Sequence, residues 1–327
     1  METMMNNIDL LSAAIFIVIV IMFLIIDLKS HSEDKPISLK NAAIWSAIWV
    51  AVSLAFAVYV AYTRGTEQMS LFLAGYFLEK SLAIDNLFVF MAIFASFSIA
   101  DKYQHRVLYY GIIGAIIMRF VFIAAGTSLL WLGEWVLALF GLFVLWTAWK
   151  IWQNMKQGKE EITDYTNHWS VRYTKRVLPV HTKLEGHKFL TKVGGSLAVT
   201  PLFLCLVCIE VADVMFAFDS VPAVIAVTRV PFLIYTSNIF AILGLRSLYF
   251  LLSAAKRRLI HLEKAVIGIL VYIGVKMLLG VCGICHISAM VSLFVVLGGL
   301  LIGVLTSLVF PSKPLPLKRE SRSPIKE

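Results

Sequence analysis

Two apolar stretches of the chain carry the same acidic pair, Glu79 and Asp85 in LEKSLAIDNL and Asp213 and Asp219 in ADVMFAFDSV. In each, the carboxylates are six residues apart and the second sits in an Ala-apolar-Asp-(Asn/Ser) context completed by Asn86 or Ser220. A carboxylate inside a membrane segment is costly and by default marks an ion or proton path. Glu210, three residues before Asp213 and therefore on the same helical face, adds a further acid. Carboxylate, carbonyl and water oxygens suit Mg2+, Ca2+ and Mn2+ better than Zn2+ or Cu2+, and all seven His fall in loops or at the ends of apolar runs. The candidate ligands of a hard cation are therefore Asp85 and Asp219 at the centre, Asn86 and Ser220 as neutral oxygen donors, and Glu79, Asp213 and Glu210 as further acids that bind, gate or carry protons.

The elements that must hold these residues are membrane spans. A mean hydropathy of +0.84, with 60% hydrophobic and only 15% charged residues over 327 positions, does not describe a soluble globule, which carries roughly 25% charged residues. Apolar runs near the roughly 20 residues needed to span occur at about 8–28, 41–62, 69–98, 106–126, 130–152, 195–220, 231–254, 264–281 and 287–310. The expectation is an all-α membrane protein of about nine transmembrane helices. The first run lacks a preceding basic region and a small-residue cleavage site, so it reads as a retained anchor. With the N-terminus outside and the C-terminus in the cytoplasm, 22 of the 29 Lys and Arg fall in cytoplasmic loops and only Arg64 and Arg229 face outward, as the positive-inside rule requires. Topology thus accounts for the net charge of +9, and the bases lack the aromatic interleaving of a nucleic-acid surface.

The acidic pair belongs to a longer repeat. Asp85 is followed by Arg119 and Lys150, Asp219 by Arg246 and Lys276, each within an apolar run. Residues 69–152 and 195–281 then form two three-helix units, and an odd number of spans per unit forces the second to run opposite to the first. Such inverted repeats place transporter sites near the midplane where the halves meet. Residues 1–68 supply two added spans, 153–194 a cytoplasmic loop, 282–310 the ninth span, and 311–327, rich in Pro and charge, a disordered tail.

Carboxylates six apart on an unbroken helix point about 120° away from each other and cannot share a ligand. The length of the third run and Pro222, three residues after Asp219, point to broken helices that let Asp85 and Asp219 approach each other. A structural reading competes, because Lys80, Arg119, Arg246 and Lys276 also lie in apolar runs. Arg119 and Arg246 read as partners that hold carboxylates in place.

Two CxxC pairs, Cys205/Cys208 and Cys282/Cys285, raise thiol chemistry. The first reads as apolar packing and the second as a candidate external disulfide. An intramembrane aspartyl protease would also place two Asp on different spans, but no Gly-x-Gly-Asp phrase is present.

The stretches EKSLAIDNLFVF, EVADVMFAFDSVPAVIAVT and SNIFAILGLRSLYFLL together resemble the TerC family of integral membrane proteins, and the N-terminal layout resembles its Alx-type branch. The resemblance implies a multi-pass plasma-membrane exporter of a metal ion, chiefly Mn2+, in a LysE-like transporter superfamily. It carries the acidic motifs onto Glu79, Asp85, Asn86, Glu210, Asp213, Asp219 and Ser220. No nucleotide-binding GxxxxGK[ST] phrase occurs, so export must draw on an ion gradient, with proton exchange the economical choice. The expected partners are the divalent ion and the lipid bilayer. Neither a resident cofactor nor an enzymatic reaction is expected. A non-transporting role in envelope stress, tellurite resistance or metal insertion stands as the alternative.

Overall fold

The computed structural model describes residues 12–22, 25–26, 39–133, 135–156, 165–181, 184, 186–193, 196–255, 262–284 and 287–309. Eleven helices run along the described chain: α1 (Ser12–Met22), α2 (Leu39–Arg64), α3 (Thr66–Ser96), α4 (Asp101–Leu129), α5 (Trp135–Lys156), α6 (Trp169–Val177), α7 (Pro201–Val227), α8 (Pro231–Ile242), α9 (Leu245–Ala255), α10 (Leu262–Val281) and α11 (Ala289–Val309). Six are long and apolar enough to cross a membrane: α2, α4, α5, α7, α10 and α11. The bent pair α8–α9 makes a seventh. Pro201 and Pro231 occupy the first turns of α7 and α8, where a missing N–H costs no intrahelical bond and the fixed φ suits a helix start. Gly65, at φ +92°, makes the sharp turn from α2 to α3 that a side chain would oppose.

One element departs from the all-α expectation. Strands β1 (Leu190–Val193) and β2 (Ser196–Val199) pair antiparallel, with Leu190 opposite Val199 and Val193 opposite Ser196. α6 and β1 lie in the segment 153–194 read as a loop, whereas β2 occupies the first residues of the run 195–220 read as a membrane span, so the helix there starts later, at Pro201. Thr200 Oγ1 donates to Lys188 O at 2.7 Å, tying the hairpin to the start of α7. Ser170 of α6 lies 3.6 Å from Cys208 Sγ.

The helix breaks expected near Asp85 and Asp219 are absent. α3 runs unbroken for 31 residues, roughly 46 Å at 1.5 Å per residue, and an overlong helix fits a bilayer by tilting. α7 runs unbroken through Pro222; a proline removes one intrahelical hydrogen bond, which neighbouring helices can offset in a membrane protein. The break lies instead at Leu243–Gly244, where α8 and α9 bend by 41°. A Cβ on Gly244 would meet Trp49 at 3.0 Å and Lys80 Nζ at 3.1 Å, so a side chain here would require these neighbours to shift. Lys80 Nζ donates to Ala241 O at 3.1 Å, satisfying one of the carbonyls that a helix end leaves without a partner.

Two parallel helix pairs organise the interior. Along α4 and α7 the contacts advance together, Gly111 on Ile209, Gly114 on Glu210 and Gly126 on Val221 and Ile225. Along α3 and α8 they do the same: Gly75 on Ser237, Glu79 on Asn238, Lys80 on Ala241. α3 also packs on α7, and α5 on α10. The largest apolar cluster joins Leu87, Phe90 and Phe94 of α3 to Leu202, Cys205 and Ile209 of α7, and extends to Val171 of α6 and Val199 of β2.

Candidate functional site

The centre of the bundle holds a closed polar ring contributed by three helices. Glu79 of α3 is fully buried, Arg119 of α4 is 2% exposed, and Asn238 of α8 is fully buried. Arg119 Nη1 forms an ion pair with Glu79 Oε1 and donates to Asn238 Oδ1 at 3.0 Å. Asn238 Nδ2 donates to Glu79 Oε2 at 3.2 Å. Both carboxylate oxygens of Glu79 are therefore engaged, and Asn238 donates to the acid while accepting from the base. A buried charge persists in an apolar interior only with such partners.

Asp213 of α7, 5% exposed, lies within electrostatic range of both Arg119 and Glu79, which joins the second helix to the ring. Glu210, one turn before it, lies within electrostatic range of Asp213 and packs on α4 at Gly114, where an added methyl would overlap its carboxylate. Neither Asp213 nor Glu210 has an ion-pair partner within 4 Å among the described residues.

Asn86 is buried on α3, and Ser220 is buried on α7, its Oγ without a hydrogen-bond partner among the described residues. A hydroxyl in that state inside a protein calls for an explanation. Asp85 and Asp219 occupy the middle of α3 and α7. Their side chains, and with them the expected approach of the two carboxylates, lie outside the described residues. Arg246 is buried in the first turn of α9. Among the described residues no group of three His, Cys, Asp or Glu side chains is arranged to hold a metal ion.

The cations of the apolar runs do different things. Arg119 partners an acid, Lys80 a backbone carbonyl, and Lys276 donates to Ser292 Oγ at 2.7 Å, linking α10 to α11. Cys205 and Cys208 are buried free thiols and Cys282 is an exposed one; Cys285, its expected disulfide partner, lies outside the described residues. Asn238 is the residue that sequence reasoning missed. Its signal was an amide within the mostly apolar run PFLIYTSNIFAILGL, directly after Thr236 and Ser237.

Residues 64–314 match the Integral membrane protein TerC family. The chain belongs to that family. Curated TerC-family relatives match over most of their length. The chain is 49% identical to a tellurium resistance protein TerC of Serratia marcescens, over 92% of this chain and 94% of that one. It is 43% identical to a putative membrane-bound redox modulator Alx of Salmonella typhi, over 86% and 89%. It is also 43% identical to the chloroplastic thylakoid membrane protein TERC of Arabidopsis thaliana, over 86% of this chain and 71% of that one. No solved structure matches the chain. This TerC-family chain is thus an integral multi-pass membrane protein whose family match covers every residue of the polar centre.

Proposed function

We propose that this TerC-family protein exports a hard divalent cation, with Mn2+ the first candidate, through a site built from α3 and α7. One observation carries the reading. Glu79 and Asp213 are buried in the bundle with the half-buried Glu210 one turn from Asp213, yet of these three only Glu79 has an ion-pair partner among the described residues. Such a centre is short of positive charge, and oxygen-rich surroundings select a hard cation to supply it. Asp85 and Asp219 are the central ligands, with Asn86 and the partnerless Ser220 hydroxyl as neutral donors. Glu79, Asp213 and Glu210 gate or exchange protons, and Arg119 and Arg246 hold carboxylates while the ion is absent. Export runs by proton exchange, without a resident cofactor or an enzymatic step.

The packing supports an inverted repeat of the kind many alternating-access transporters use. Exchanging α3 with α7 and α4 with α8 maps one parallel pair onto the other. Counting α1, α3 and the bent pair α8–α9 with the other long helices gives nine spans, with the N-terminus outside the cell membrane and α6 and the hairpin on the cytoplasmic side.

The test is Mn2+ flux in inverted membrane vesicles under an imposed pH gradient, with Ca2+ and Mg2+ as comparison ions. Asp219→Asn, expressed at normal level, should abolish relief of manganese sensitivity in exporter-deficient cells. Full retention of efflux removes Asp219 from the site. A second reading, a non-transporting component of a tellurite-resistance or envelope-stress complex, is favoured by the names of the tellurium resistance and redox modulator relatives. Reconstituted protein that moves none of the three ions would support it.

A further inference from the structure

We propose that Arg119 is a tethered counter-cation: with no substrate bound its guanidinium occupies the Glu79 carboxylate, and a divalent ion takes Glu79 only by displacing it. The proposal rests on the cation-export reading and adds to it an internal competitor for the transported ion.

Three features of the ring distinguish a displaceable cation from a permanent strut. The first is how little of the guanidinium is used. A strut of this kind spreads its five donors over a carboxylate in a two-pronged grip. Arg119 makes both of its described side-chain bonds, to Glu79 and to Asn238, from the single nitrogen Nη1. Its Nε is buried without an acceptor among the described residues. The second is charge. Asp213 lies within electrostatic range of both Arg119 and Glu79, so one positive charge faces two carboxylates, and a divalent cation in its place would match both. The third is Asn238. Its Nδ2 bond to Glu79 Oε2 is independent of Arg119, so it is a positioning residue that keeps the carboxylate aimed after the guanidinium leaves.

The two roles predict opposite signs. A residue that organises ligands weakens ion binding when it is removed. A competitor tightens it, because the apparent affinity of a site is reduced by the fraction of time it is free to bind. Full-length protein in lipid nanodiscs is titrated with Mn2+ by calorimetry, and the same preparations are reconstituted for flux. Arg119→Met, close in length and uncharged, should bind Mn2+ about tenfold more tightly, as for a site occupied internally nine-tenths of the time. Its Mn2+ turnover in liposomes should fall at least severalfold, because the group that expels the ion is gone. Arg119→Lys, which keeps the charge but loses the planar fork, should shift affinity in the same direction by a smaller factor and covers the case in which Arg119→Met does not fold. Unchanged or weaker Mn2+ binding in the folded variants makes Arg119 a strut and overturns the proposal alone. If the wild-type protein binds neither Mn2+, Mg2+ nor Ca2+, the export reading falls and takes the proposal with it.

Discussion

α3 and α7 pack on each other and carry the same acidic spacing, yet their first acids sit in different surroundings. Glu79 is locked by Arg119 and Asn238, whereas Asp213 and Glu210 have no described ion-pair partner. The difference follows from the helices beside them. α4 brings an arginine to α3, but it presents Gly111, Gly114 and Gly126 to α7, small residues that let two membrane helices approach closely and leave the Glu210 carboxylate against backbone. Identical spacing therefore does not give identical chemistry; the acid of the closed half is held by an internal cation, and the acids of the open half have none among the described residues.

The largest test of this contrast breaks the closed half. Glu79→Gln and Arg119→Met should each destabilise the protein by about 3–5 kcal/mol, the effect of stranding one member of a buried ion pair. The double variant should lose less than the sum, read as thermal stability in detergent; additive losses would mean the pair is not coupled. On the open half, Gly114→Val drives carbon into the Glu210 carboxylate and should cost roughly 1–3 kcal/mol of stability, with Mn2+ flux falling more steeply than the folded fraction. Gly244→Ala, at the bend of α8–α9, meets Trp49 and Lys80 and should also cost roughly 1–3 kcal/mol. Flux that tracks the folded fraction alone would detach the bend from transport. A smaller effect is expected of Tyr249→Phe, which removes a 2.8 Å bond to Gln104 Oε1, worth about 1 kcal/mol, with wild-type ion selectivity.

The smallest effect concerns α6. His168 Nδ1 caps this helix by accepting from the Ser170 backbone N–H. Burial, with a contribution from the Arg172 charge, holds its imidazole below the usual histidine range. A depressed pKa means that the neutral ring is favoured by folding; the cap is fully present above the unfolded-state value near 6.5 and is lost as pH falls through the lower folded value. Hydrogen exchange at Ser170 should quicken on acidification, and His168→Asn should retain the cap without the pH dependence.

Much of the layout was legible in the sequence because hydrocarbon imposes a length and forbids stray charge. Seven of the nine apolar runs correspond to helices of 20 residues or more, and 231–254 to the bent pair α8–α9; residues as unusual as Glu79, Arg119 and Asp213 had to be inside or functional. The sequence reading did not include the hairpin although Gly194 and Gly195 between LTKV and SLAV are a two-residue turn signal; four-residue strands carry too little periodicity to stand out, one at the end of a charged loop and the other at the start of an apolar run. Pro222 drew attention to α7, yet the bend formed at Gly244, where the approach of Trp49 and Lys80 cannot be foreseen from local sequence.

By itself the sequence determined that this is a multi-pass membrane protein with paired acids in related segments, because transfer energies act on each residue one at a time. Only the tertiary structure decided which acid is neutralised, by which base, and through which amide. Those choices depend on Glu79, Arg119 and Asn238 meeting from three helices separated by 40 and 119 positions in the chain, and hydrogen-bond geometry at that range is set by helix packing rather than by spacing.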